Sequence, residues 1–256
     1  MADLRITEFT ELLSVSAHDL VPVVDDSFGS PGTPTNFKIK VANFFKYAVT
    51  NVSIQVFTAS GIYTPSSGMK ACLVICQGGG GGAPAETGAD AAVSGGGGGG
   101  CAIKLCSAAL LGASQPVTVA IASSAAGNPS TFGGSPDILH ATGGGVGAST
   151  GNTTTVGLSA KGGLGGIGSG GDINLRGGSG EPGTVFSTSN GRGGSGGDSF
   201  LGSGGRGGIL TATVEQGEVG GQYGGGAGGG HCSDGTNLDA VAGAAGVVVI
   251  LEFLEG

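Results

Sequence analysis

The chain has 256 residues, of which 60 are glycine, none is tryptophan and 11% are charged, and its mean hydropathy is positive. That excludes ordinary intrinsic disorder, which requires low hydrophobicity and high charge, and it sits badly with an ordinary enzyme. A net charge of −8 excludes the basic patches by which nucleic acids and anionic membranes are held.

Residues 1–50 form one predicted unit. "ITEFTELL" has Ile6, Phe9, Leu12 and Leu13 near helical spacing, and "DLVPVVDD" reads as an extended segment interrupted by Pro22. After a "SPGTPT" turn, "FKIKV" alternates as a strand, and Val41, Phe44, Phe45 and Ala48 mark one face of a short helix. Fifty residues with so few apolar anchors make a marginal core, so this unit is expected to be completed by sister chains or a docking partner.

Residues 51–256 form the second unit, and strands are predicted at "VSIQVFTAS", "IYTP", "MKACLVICQ", "CAIKLC", "QPVTVAIAS", "DILHATG" and "GVVVILEFL". Several are apolar on both faces, Ala71, Leu73 and Ile75 on one and Cys72, Val74 and Cys76 on the other, which predicts strands covered on both sides. The fold class expected is therefore mainly β: a small N-terminal α+β anchor, then a β-sandwich framework enclosing glycine-rich segments. The five cysteines are too few and too irregular for a disulfide scaffold and read as small apolar core residues.

Only Gly29, Gly32, Gly61 and Gly68 precede Met69; every other glycine follows it. Segments such as "KGGLGGIGSGGDI", "GRGGSGGDS" and "GGQYGGGAGGGH" are built of Gly-Gly-X and Gly-X-Gly triplets. A period of three matches the polyproline-II type of helix, which has three residues per turn and no internal hydrogen bonds. With glycine on two of its three edges, such a helix can bond through its main chain to neighbours instead of water, which predicts a packed polyglycine-II array. A flexible linker is the competing reading, and it does not explain why Leu164, Ile167, Ile173, Val185 and Phe200 interrupt the tracts.

Motifs of chemistry are weak. "GLGGIG" at residues 163–168 matches a dinucleotide fingerprint in letters, but "SGGDINLRGGSG" follows it and cannot start the helix that holds a pyrophosphate. No glycine run ends in Gly-Lys-Ser/Thr. Arg176, Arg192 and Arg206 stand beside Gly-Gly pairs but are far apart in an acidic chain, so structural arginines between glycine helices are expected rather than RNA contacts. His231, Cys232 and Asp234 are adjacent without a second cluster to complete a metal site. Neither a Ser–His–acid set nor a paired-carboxylate set is legible, and Asp137 and His140 have no assignable role. No catalytic residue, metal or cofactor is expected, and the protein is read as not an enzyme.

Two parts of the chain carry a resemblance. "ADLRITEFTELLSVSAHDLVPVVDDS" with "KIKVANFF" is similar to the N-terminal segment of bacteriophage tail-fibre and related tail proteins. "FTASGIYTPSSGMKACLVICQGGGGG" through "GAAGVVVILEF" resembles the glycine-rich domain at the C-terminal end of many such fibres. The resemblance implies a virion structural protein made in the host cytoplasm, docking on the tail or baseplate through residues 1–50. It implies a homotrimer, and a glycine-rich part that faces host-surface receptors, polysaccharide or outer-membrane protein. No long shaft lies between the two parts, which implies a short fibre or small tail-tip protein. Candidate receptor contacts are the polar and aromatic residues that break the glycine pattern: Asn152, Thr154, Phe186, Asn190 and Tyr223. Phe186 and Tyr223 are expected first as plugs of the array and second as sugar-stacking platforms.

Overall fold

A computed structural model describes residues 20–24, 36–40, 49–87, 90–153, 155–187, 189–209, 214–233 and 236–255. Of the first unit it gives an antiparallel pair, Leu20–Val24 with Asn36–Lys40, in which Leu20 is opposite Lys40. The pair matches the two expected strands. The two expected helices, and the candidate contact Thr154, lie outside the described residues.

The framework is a β-sandwich. Its larger sheet runs in the order Ile173–Leu175, Cys101–Ser107, Met69–Gln77, Val247–Glu255, Val49–Phe57, all neighbours antiparallel. The second sheet is Gly168–Ser169, Leu139–Ala141, Ser130–Phe132, Gln115–Thr118, Gly61–Tyr63. Between the sheets lie Cys72, Val74, Cys76, Val248 and Ile250 from one side and Tyr63, Val117, Phe132 and Leu139 from the other, all buried. The rings of Tyr63 and Phe132 meet at a centroid distance of 5.7 Å and a tilt of 52°, the inclined geometry that aromatic quadrupoles favour.

One charged side chain is taken into this core. Glu252 is fully buried and accepts hydrogen bonds from Tyr63 Oη (2.7 Å), the Ser66 amide (2.9 Å) and Ser66 Oγ (2.6 Å). Burial alone would raise its pKa, but the bonds from Ser66, Tyr63 and Gln55 outweigh that and hold the carboxyl below its usual range. Cys72, Cys76, Cys101 and Cys106 are free thiols and, like Cys232, buried, as expected of core residues. Burial pushes the Cys101 thiol up to about 11 and that of Cys76 higher, which makes them poor nucleophiles.

The outer face of the larger sheet corrects one expectation. Register aligns its outward residues into rows: Val56, Val249, Ile75, Ile103 and Ile173 in the first, then Ile54, Leu251, Leu73 and Leu105, then Val52, Phe253 and Ala71. These strands are apolar on both faces, yet only one face is covered among the described residues; Ile54 is 62% exposed and Leu105 58%.

Six chain segments pass directly from framework strands into glycine. Residues 78–82 continue from Gln77, 142–147 from Ala141 and 176–181 from Leu175, while 95–100, 163–167 and 243–246 lead into Cys101, Gly168 and Val247. The segment 95–100 lies at the centre of a hexagonal array. Its amides donate in turn to three neighbours and repeat after three residues: Gly95 and Gly98 to Glu181 and Gly178, Gly96 and Gly99 to Ala227 and Gly224, Gly97 and Gly100 to Gly145 and Thr142, at 2.8–3.1 Å. Its carbonyls accept from three others: from Gly163 and Gly166, from Gly197, and from Gly78 and Gly81. Gln77 Nε2 completes the set, donating to the carbonyls of Gly99 (3.1 Å) and Gly100 (2.9 Å) at the junction with the sheet. Three residues per turn and bonds that leave the helix in six directions define polyglycine-II packing, as the triplets predict.

Close approach is what requires glycine here. A Cβ on any of residues 95–100 would stand 2.0–2.3 Å from a neighbouring backbone atom, for instance 2.1 Å from the Leu164 carbonyl oxygen at Gly97 and 2.1 Å from that of Asp198 at Gly98. The larger side chains of these segments stand in slots that face out, as at the exposed Leu164, Ile167, Ser179 and Arg206, while Ala227 and Ala244 bury no more than a methyl group. The arginines tie segments together at the surface, Arg192 to Glu181 at 2.6 Å and Arg206 to Glu218 at 3.3 Å, consistent with the structural role expected of them.

Candidate binding surface

Because residues 95–100 enter the sandwich at Cys101, the opposite end of the array, around Ser94, lies about 19 Å away at 3.1 Å per residue. Ser94 anchors that end: its Oγ donates to the Lys161 carbonyl (2.8 Å) and accepts from the Ala148 amide (2.7 Å). A small second core of Ala83, Ala91, Val93, Ala227, Cys232 and Leu238 lies there. Above it a three-stranded sheet forms from Ser159–Ala160, Gly183–Ser187 and Asn190–Arg192.

This sheet places two of the candidate contacts, Phe186 and Asn190, and a loop beside it places Asn152. Val185 pairs with Gly191 and Ser187 with Asn190, with a register shift between them, so Phe186 is the bulged residue. A bulge re-aims a side chain, and alternation sends Val185 inward and Phe186 outward: Val185 is 1% exposed and Phe186 55%. The expectation of Phe186 as a plug is therefore corrected. Asn190 is exposed and donates from Nδ2 to Ser187 Oγ at 3.2 Å. Asn152 is exposed in the adjoining loop, which is tied down by the Thr150 amide to Ala92 and by the Thr153 amide to Asp90. Tyr223 does not join them. It is half-buried beside Gly224, whose amide bonds to Ala245 and whose carbonyl accepts from Gly99, at the sandwich end of the array.

Two members of the distal surface escaped the sequence reading as individual contacts. Val156 and Leu158 are exposed, and the Leu158 carbonyl accepts from the Val185 amide, which sets that loop against the Phe186 strand. The run "TVGLS" is too short for either period to reveal which residue faces out. The resulting surface combines apolar Val156, Leu158 and Phe186 with amide groups of Asn152 and Asn190, and the exposed Arg192–Glu181 pair stands at its border.

Beneath this surface His231 is fully buried, and neither ring nitrogen has a hydrogen-bond partner. Burial lowers its pKa, with the Asp90 charge acting in the opposite direction. Its ring packs against Gly191, where a Cβ would stand 1.9 Å from Cδ2. Among the described residues no group of three His, Cys, Asp or Glu side chains is placed to hold a metal ion. The His140–Asp137 contact, 3.2 Å from Nδ1 to Oδ2, joins residues three apart in sequence where the chain enters the strand Leu139–Ala141 of the sandwich. The chemistry on offer at the distal end is contact with a molecule that carries both apolar faces and hydrogen-bonding groups. No protein-family model matches the chain, and no curated protein matches it in sequence.

Proposed function

We propose that this protein is a short phage tail fibre, without enzymatic activity, that docks on the tail or baseplate through residues 1–50 and binds a host cell-surface receptor with the distal end of its glycine array. In this reading it works as a homotrimer and is part of the virion. The observation that carries the reading is the pairing of a rigid array, with main-chain bonds on all sides of residues 95–100, and an exposed amphipathic surface held at the end remote from the sandwich. The tail-protein resemblance of residues 1–50 and 51–256 supplies the context. Three copies presenting weak sites together would raise avidity without any new contact.

The test is adsorption. Purified protein is expected to bind a susceptible bacterium and to compete with phage infection. Phe186→Ala with Asn190→Ala is expected to lower both at least tenfold while thermal unfolding stays unchanged. Protein that neither binds nor competes on any susceptible strain would favour a purely architectural tail-tip role, and release of reducing sugar from host polysaccharide would sink the non-enzymatic reading.

A further inference from the structure

We infer that the uncovered face of the larger sheet is the surface through which copies of this chain associate, sheet face against sheet face. The inference rests on the multimeric reading above in one respect, that copies do associate, and goes beyond it in naming where. Register, not composition, makes the surface: Val56, Val249, Ile75, Ile103 and Ile173 form an unbroken apolar row across all five strands, with two further rows beside it. Twelve apolar residues in rows of five, four and three, spaced about 4.8 Å between strands and about 6.8 Å along them, give a face of about 390 Å². Two such faces bury about 800 Å² together, the size of a weak, concentration-dependent interface. An uncovered apolar face of that extent lies in the range in which a monomer's largest patch is often functional.

Charge identifies the occupant. Identical copies of a chain with net charge −8 oppose like charges over most of their surface. The three rows carry no charged residue: Lys104, which pairs with Asp172, stands opposite Val74 in register and so on the other side of its strand, and Lys70 pairs with Glu255 where the strands end. A lipid surface would require a basic or aromatic rim, and the face has one phenylalanine, Phe253, and an acidic chain around it. The edge strand Val49–Phe57 supports the same occupant: among the described strands it is bonded on one side only, to Val247–Glu255, and it carries the exposed Val52, Ile54 and Val56. Neighbouring copies, two face to face or three about a common axis, cover those side chains together with the rest of the face, with the sheets about 10 Å apart as in any sandwich.

The test is the mass of the full chain in solution by light scattering and sedimentation. Wild type is expected as two or three chains at micromolar concentration. Ile54→Glu with Leu105→Glu is expected to sediment as a single chain with its circular dichroism unchanged. Ile54→Thr with Val56→Thr, which keeps β-branched side chains on the edge strand, is expected to weaken association at least tenfold and guards against misfolding of the charged variant. A wild type that remains a single chain overturns both this interface and the multimeric reading, and is the result expected if residues 1–48 of the same chain cover the face. A multimer of unchanged mass in both variants overturns the interface alone and leaves association to residues 1–50.

Discussion

In the sandwich, Val74 and Ile250 are fixed by side chains packed from both sheets; in the array, residues 95–100 have no side chains and are fixed by amides and carbonyls that reach six neighbours. The first region tolerates a change of shape at some cost in contact area, because side chains can shift. The second cannot, because what a substituent meets is backbone. The two regions therefore predict different sensitivities to the same kind of substitution.

The largest effect is expected at the centre of the array. Gly97→Val would set a branched side chain where even a Cβ stands 2.1 Å from the Leu164 carbonyl oxygen, so a loss of more than about 4 kcal/mol, or failure to fold, should appear in denaturant unfolding. In the sandwich, Ile250→Ala removes a fully buried side chain and should cost about 2–5 kcal/mol by the same measurement. If Gly97→Val cost no more than Ile250→Ala, the array would be as compliant as the core, and the contrast would fall.

Acid should separate the regions next. His231 takes up its proton in the unfolded chain near pH 6.5, but only at lower pH when folded, because burial lowers its pKa. Below about pH 6.5 the unfolded state therefore binds more protons, and stability falls as pH drops. Glu252 in the sandwich is held below its usual range, so its contribution persists until pH falls below about 4.3, the ordinary value for glutamate. Hydrogen exchange at the distal end should accelerate between those values while the Val74 amide stays protected, and His231→Leu should flatten that dependence. The smallest effect is expected at an outward slot: Leu164→Ser, at a residue 53% exposed, should change stability by no more than about 0.5 kcal/mol.

The long strands were legible from sequence because short apolar, β-branched runs bounded by turn residues mark them: Val49–Phe57, Met69–Gln77, Cys101–Ser107 and Val247–Glu255 all lie where those runs predict. "QPVTVAIAS" was legible only in part. Its strand is Gln115–Thr118, and beyond it the Gly246 amide bonds to Ala120 and the Gly243 amide to Ser123 as the chain passes to the array margin. The triplet period announced polyglycine-II packing, yet six neighbours from distant segments cannot be read from a local repeat. Which face of the apolar strands is covered was not legible either, since Leu73 and Val74 look alike in sequence and differ only in what folds over them. At the candidate site, Asn152, Phe186 and Asn190 were found because they interrupt glycine, whereas the outward aim of Phe186 depends on the phase of its strand, which the adjacent apolar pair Val185 and Phe186 does not signal.

The threefold repeat in the bonding of residues 95–100 gives each glycine segment something like a reading frame. One added or deleted residue turns everything beyond it by about 120°, so an amide aimed at residues 178–181 would face a different segment, and every bond downstream would be out of phase. Changes in length within the array keep its bonding only in steps of three. Loops at the distal end, such as that bearing Asn152, are free of this constraint and can vary residue by residue while the array beneath them stays in phase.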